Sequence, residues 1–292
     1  MAQAELIPGT QCYHGEGPCW ADDWGDRHGG DRGGLRWVDM LAGDVLALNS
    51  QGGVTRTHVG EVAAVIRPRA SGGAVLALKE HFAVTDGDLG RLRTVAQVQL
   101  KPGVRLNEGG CDPDGRFYCG SMASDESPKA GTFYRLDPDG SCGPVMDQVT
   151  ISNGFDFSPD GRTAYYVDTP EQSIDVFDYS PGTGLANRRR WAEIPDDAGR
   201  PDGLTVDAEG GVWLALMEGG AVHRYSPAGA LDAVIELPVS QVTACTFGGP
   251  GLDILYVTTS QIGADTRAQP ASGALFAVQP GVRGRPALAF AG

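Results

Sequence analysis

Short apolar runs recur along the chain, each bounded by turn residues: "GGLRWVDM", "GAVLALKE", "RFYCGSM", "TAYYVDT", "GVWLALM" and "DILYVTTS". A second series follows them in the same order: "DVLALNSQGG", "FAVTDGDLG", "GTFYRLDPDG", "SIDVFDYSPGTG", "GAVHRYSPAG" and "GALFAVQPG". The runs are short, rich in β-branched and aromatic residues, and closed by turn chemistry, so the pattern predicts strands joined by hairpins. A weaker fourth segment, as in "RRRWAEI" and "LDAVIEL", usually completes the unit. No amphipathic pattern of helical period runs beyond about two turns, which argues against a two-domain α/β arrangement.

Before each first apolar run lies an eleven-residue segment of common form. "RLNEGGCDPDG" (105–115), "ISNGFDFSPDG" (151–161) and "RPDGLTVDAEG" (200–210) each place a polar residue third, glycine close behind it, and an acid-Gly turn at the end. "QVTACTFGGPG" (241–251) keeps the frame and "VAAVIRPRASG" (62–72) keeps it more weakly. "HGEGPCW" (14–20) starts the same way, with Glu16 third, before a Gly- and Asp-rich insertion at 21–34. Successive turn glycines at 72, 115, 161, 210 and 251 are 43, 46, 49 and 41 residues apart. Four strands at a spacing of about 40–50 residues is the arithmetic of a β-propeller blade. The expected fold is therefore all-β, a single six-bladed β-propeller domain over residues 1–292, with four-stranded antiparallel blades around a central channel.

Composition narrows the possible partners. A formal charge of −14 and a pI near 4.7 would repel nucleic acid and anionic membranes, and no basic stripe offsets this field. The dense basic run Arg188, Arg189, Arg190 reads as the solvated face of an edge strand. The N-terminus shows no signal-peptide pattern and no apolar stretch reaches transmembrane length. A cytoplasmic protein is expected, without a membrane or nucleic-acid partner; the oligomeric state is left open. The six cysteines include no C-x-x-C pair, so most are expected reduced, with Cys111 and Cys245 as small core residues.

In a propeller the first strand of each blade lines the channel, so residues of one repeat phase become neighbours. The third-position residues are Glu16, Asn107, Asn153 and Asp202, with Ala64 and Thr243 from the other two blades. Converging carboxylates must be separated, protonated or neutralised by a cation. A donor set of oxygen without His or Cys points to Ca²⁺, Mg²⁺ or Mn²⁺ before Zn²⁺. The competing reading is that Asn-Gly and Asp-Gly are simply common turn dipeptides; their shared phase is what favours a site.

The segments "GEGPCW", "RLNEGG", "SNGFDFSPDGRTAYYVDT", "RPDGLTVDAEGGVWLAL" and "VTACTFGGPGLDILYVTTS" together resemble the successive signatures of the SMP-30/gluconolactonase/regucalcin-like (LRE-like) family, from about residue 14 to 278. The resemblance implies a six-bladed propeller with one divalent cation in its channel, calcium first, with magnesium, manganese, iron or zinc as alternatives. It also implies hydrolysis of a sugar lactone, an aldono-1,4- or 1,5-lactone such as xylono-, arabinono- or gluconolactone. Carried over by position, Glu16, Asn153 and Asp202 are the metal ligands, and Asp202 is also the catalytic base. Arg105 and Asn107 match substrate-binding positions. Glu108 stands where the family usually has Asp, and Asp125, in the loop 121–131, aligns beside an acidic substrate contact; both are expected on the substrate-binding side.

A carboxylate that ligates a cation is a weak base, so Asp202 would depend on water acidified by the same ion. Competing catalytic motifs are absent: no G-x-S-x-G elbow, no H-E-x-x-H and no phosphate-binding Gly loop. His14 could line the site or be a satisfied strand histidine; His28, His58, His81 and His223 read as surface or inter-blade residues. Trp37, Trp191 and Trp213 are expected to pack between blades, and Trp20 is left open. Two alternatives stand beside the lactonase: a non-catalytic, metal-binding regulatory propeller, and an esterase or organophosphate hydrolase on the same metal.

Overall fold

The computed structural model describes residues 3–24, 33–49 and 51–292. The apolar runs form strands because alternating residues bury one face while Gly- and Asp-rich turns reverse the chain. The first strand is β1 (Glu5–Ile7). A sheet follows of β2 (Gly15–Ala21), β3 (Gly34–Asp39), β4 (Asp44–Leu48) and β5 (Val54–His58). The next is β6 (Ala63–Pro68), β7 (Ala74–Leu78), β8 (His81–Thr85) and β9 (Arg93–Gln97). Then come β10 (Val104–Cys111), β11 (Phe117–Ala123), β12 (Gly131–Leu136) and β13 (Cys142–Val149). The fourth sheet is β14 (Ser152–Phe157), β15 (Thr163–Asp168), β16 (Ser173–Ser180) and β17 (Gly184–Glu193). The fifth is β18 (Arg200–Val206), β19 (Val212–Met217), β20 (Ala221–Tyr225) and β21 (Leu231–Glu236). Last are β22 (Val242–Gly248), β23 (Ile254–Thr259) and β24 (Leu275–Val278), to which β1 adds the fourth strand. The fold is an all-β six-bladed β-propeller with four-stranded antiparallel blades.

Two compact units divide the chain. The first comprises the chain up to Glu16 together with Asn153–Arg285. Its cores lie between successive sheets, one around Trp213, Phe247, Val257 and Phe276, another around Val167, Ile174, Leu214 and Leu216. Within it β1 pairs antiparallel with β24, Glu5 opposite Ala277 and Ile7 opposite Leu275. The repeat pattern starting at His14 did not foretell this strand, because pairing partners some 270 residues apart leave no local signal.

The second unit holds Gly17–Ser152 and Pro286–Gly292. Its core gathers Val65, Ile66, Leu76, Phe82 and Phe117, and Phe290 of the C-terminal segment joins it. Phe290 N–H donates to Pro68 O and its carbonyl accepts from Ala70 N–H, both at 2.8 Å.

The acid at position eight of the repeat holds its turn. Asp207, fully buried, accepts from Gly211 N–H, Trp213 Nε1 and Arg224 Nε at 2.7–2.9 Å. Asp112 does the same for Arg116, through backbone N–H at 2.9 Å and Nε at 2.6 Å. Trp213 and Trp37 are buried packing residues, as expected. Arg188, Arg189 and Arg190 lie on the exposed edge strand β17, paired with Asp175, Asp178, Glu171 and Glu193. All six cysteines are free, with Cys111 and Cys245 in the core. His28 and most of the 21–34 insertion lie outside the described residues. Among the described residues no helix is long and apolar enough to cross a membrane.

Candidate metal and substrate centre

Glu16, Asn153 and Asp202 all belong to the first unit, and each is nearly inaccessible, at 3%, 5% and 4% exposure. They occupy the same phase of β2, β14 and β18, the first strands of their sheets. β14 approaches β18, and β18 approaches β22, closely because glycine follows the third position. A Cβ on Gly154 would meet Leu204 N at 2.7 Å and Asp202 O at 2.9 Å. A Cβ on Gly203 would meet Ala244 Cα at 2.8 Å and Thr243 O at 3.0 Å. The recurrent polar-Gly pair is therefore a packing requirement between neighbouring first strands. Thr243, the third-position residue of β22, donates from Oγ1 to Gly15 O at 2.6 Å, next to Glu16.

Local bonds orient the donors. Asn153 Nδ2 donates to Thr169 Oγ1 at 2.7 Å, and Thr169 Oγ1 donates to Pro201 O at 2.8 Å. With its nitrogen so engaged, the Asn153 amide keeps Oδ1 as its acceptor end. Glu16 has His14 as a neighbour, Nε2 to Oε1 at 3.9 Å. Two buried carboxylates and one oriented amide oxygen suit a hard divalent cation. Among the described residues no three His, Cys, Asp or Glu side chains form a metal-holding group.

In the second unit, Arg105 and Asn107 are brought together on β10. Arg105 Nη1 donates to Asn107 Oδ1 at 2.6 Å and to Leu106 O at 3.1 Å, with Met40 Sδ also at 3.1 Å. Asn107 Nδ2 donates to Ser152 O at 2.8 Å, the residue before Asn153 in the chain. Glu108 is turned elsewhere, within a break in the β10–β11 register between Leu106 and Gly109. Its Oε1 receives Arg67 Nη2 at 2.9 Å and Gly109 N–H at 3.1 Å, while Oε2 is buried without a hydrogen-bond partner. Burial pushes the Glu108 carboxyl above the ordinary carboxylate range, against the pull of Arg67 and the Gly109 amide. Asp125 sits in an exposed turn, its Oδ1 taking the Ser127 hydroxyl at 2.7 Å and amide at 3.1 Å. Those two bonds hold its carboxyl below the usual range.

Thr169, Arg67 and Ser260 carry no signal in the sequence, since each meets its partner across a distant loop or strand. Only His14 carried a signal, its two-residue spacing from Glu16. Trp20 is tied to Asp22 through Nε1 at 3.2 Å.

Comparison with known proteins agrees with this architecture. Regucalcin of Xenopus laevis is 36% identical over 291 residues, covering 95% of this chain and 95% of that protein. Regucalcin of Danio rerio is 40% identical over 233 residues, 77% of this chain and 79% of its own. The crystal structure of regucalcin from Agrobacterium tumefaciens, described as a calcium-binding protein, superposes with a TM-score of 0.91 at 26% identity, over 99% of this chain and 97% of that one. The family model of the SMP-30/gluconolactonase/LRE-like region matches residues 14–261, and the chain belongs to that family.

Proposed function

We propose that this protein is a divalent-cation-dependent hydrolase of sugar lactones, opening an aldonolactone to the aldonic acid. The observation that carries the reading is the trio of Glu16, Asn153 and Asp202, buried at one repeat phase, with the amide of Asn153 turned by Thr169 to leave its oxygen as acceptor. Glu16, Asn153 Oδ1 and Asp202 would hold the cation. When bound, a divalent ion supplies Lewis-acid polarisation of a carbonyl and makes neighbouring water easier to deprotonate.

Asp202 takes the proton as water adds to the lactone carbonyl and returns it to the ring oxygen as the ring C–O bond breaks, releasing the hydroxyl; the new carboxylic acid then loses its proton to solvent as the product carboxylate. Arg105 and Asn107 are assigned to the sugar hydroxyls, since a guanidinium offers several donors in a fixed fork. Asp125, exposed in the turn between β11 and β12, presents its carboxylate to a polar substrate as it arrives. Glu108, bound to Arg67, is assigned to holding β10 beside β6 instead of touching substrate.

A pH-stat assay of purified protein on xylono-, arabinono-, galactono- and gluconolactone, with and without EDTA, tests the proposal. Acceleration over spontaneous hydrolysis that EDTA removes and Ca²⁺, Mn²⁺ or Mg²⁺ restores is expected. Tight cation binding with no acceleration on any lactone would instead support a binding protein, the reading suggested by the calcium-binding description of the Agrobacterium relative.

A further inference from the structure

His14 stands two residues before Glu16, so extended backbone puts both side chains on one face. It is 8% exposed, and its Nδ1 lies 2.9 Å from Ser260 Oγ. Ser260 is itself fixed and fully buried: its N–H donates to Gln241 O at 2.9 Å and its Oγ accepts from Ile262 N–H at 3.0 Å. The backbones of His14 and Ser260 form an antiparallel bridge, which sets the ring against the hydroxyl.

Two acceptors compete for the Ser260 hydroxyl proton, His14 Nδ1 at 2.9 Å and Tyr13 O at 3.4 Å. When the Ser260 hydroxyl donates to Nδ1, the shorter of its two contacts, the neutral imidazole carries its hydrogen on Nε2. Nε2 is the atom facing Glu16, 3.9 Å from Oε1. That distance exceeds a hydrogen bond but lets the ring's N–H dipole bias the rotamer of a buried carboxylate.

We infer that His14 is a positioning residue, locked by Ser260 so that its Nε2–H holds the Glu16 carboxylate ready for a divalent cation. This rests on the metal reading above. Partners standing behind a ligand typically change metal affinity about 10–100-fold when removed.

The test is calorimetric titration of the metal-stripped full chain with Ca²⁺ and, separately, Mn²⁺ at pH 8, where an ordinary imidazole is neutral. His14→Leu should weaken both cations about tenfold or more, and Ser260→Ala should weaken them in the same direction. His14→Gln, whose amide can accept from Ser260 and donate toward Glu16, should stay within about threefold of the wild type, since it keeps the outer partner. The unfolding midpoints of the metal-free variants should remain together, which separates positioning from loss of fold. Equal affinity in His14→Leu and wild type, or equal loss in the Leu and Gln variants, would overturn the assignment. A wild-type chain that binds neither cation would overturn the metal reading itself, a distinguishable result.

Discussion

Thr169→Val tests the site most directly, because it changes no proposed ligand and almost no volume. The Thr169 hydroxyl accepts from Asn153 Nδ2 at 2.7 Å and donates to Pro201 O at 2.8 Å, and both Thr169 and Asn153 are about 95% buried. Valine removes both bonds and leaves an amide N–H and a carbonyl without that partner. A buried polar group deprived of its partner costs about 1–3 kcal/mol, so the pair amounts to roughly 2–6 kcal/mol of stability. For a chain of this size that corresponds to a fall in Tm on the order of 3–10 °C. The amide of Asn153 is also released to rotate, and cation affinity should drop about tenfold or more, as when other outer partners of metal ligands are lost. Thermal unfolding of the metal-free variant measures the first effect, and calorimetric cation titration the second. A variant that unfolds earlier yet binds cation within about twofold of wild type would refute the claim that Thr169 orients a ligand, since that claim requires the tenfold loss.

Asp202→Ala should abolish lactone turnover and weaken cation binding together, whereas Arg105→Ala should chiefly raise KM with the cation retained; normal pH-stat turnover in Asp202→Ala would remove the proposed base. Gly203→Ala puts a Cβ 2.8 Å from Ala244 Cα and 3.0 Å from Thr243 O, so β18 and β22 must part, at a cost of about 1–3 kcal/mol readable by denaturant unfolding. His223 is half-buried and burial lowers its pKa from 6.5, so the folded state disfavours its protonation. The stability it contributes is complete above the unfolded value and is lost as pH falls through the folded one; the drop in Tm from pH 8 to pH 5 should therefore be smaller in His223→Phe.

The turn-bounded apolar runs marked the strands at nearly every blade, because period-two alternation and Gly-Asp turns are properties of consecutive residues. "GTFYRLDPDG" became β12 and its turn, and "RRRWAEI" fell in β17. The repeat phase likewise singled out Glu16, Asn153 and Asp202, and the structure buries all three. Asp112 and Asp207 share position eight of the repeat because each clamps the turn that follows it.

Other features were decided only by the folded chain. Glu108 follows Asn107 in sequence, yet it meets Arg67, a residue of β6 that no local pattern connects with it. The fourth strand of the last sheet comes from Glu5–Ile7, and Phe290 enters the core of the second unit beside Pro68. The partners that orient the proposed ligands, Thr169 for Asn153 and Ser260 behind His14, are 16 and 246 residues away along the chain. By itself the sequence determined the number and phase of the repeats, since local geometry and spacing are enough for that. Which hydroxyl, guanidinium or carbonyl meets each polar side chain was settled by tertiary structure, because a buried polar group is satisfied by whatever the fold brings near it, at any distance along the chain.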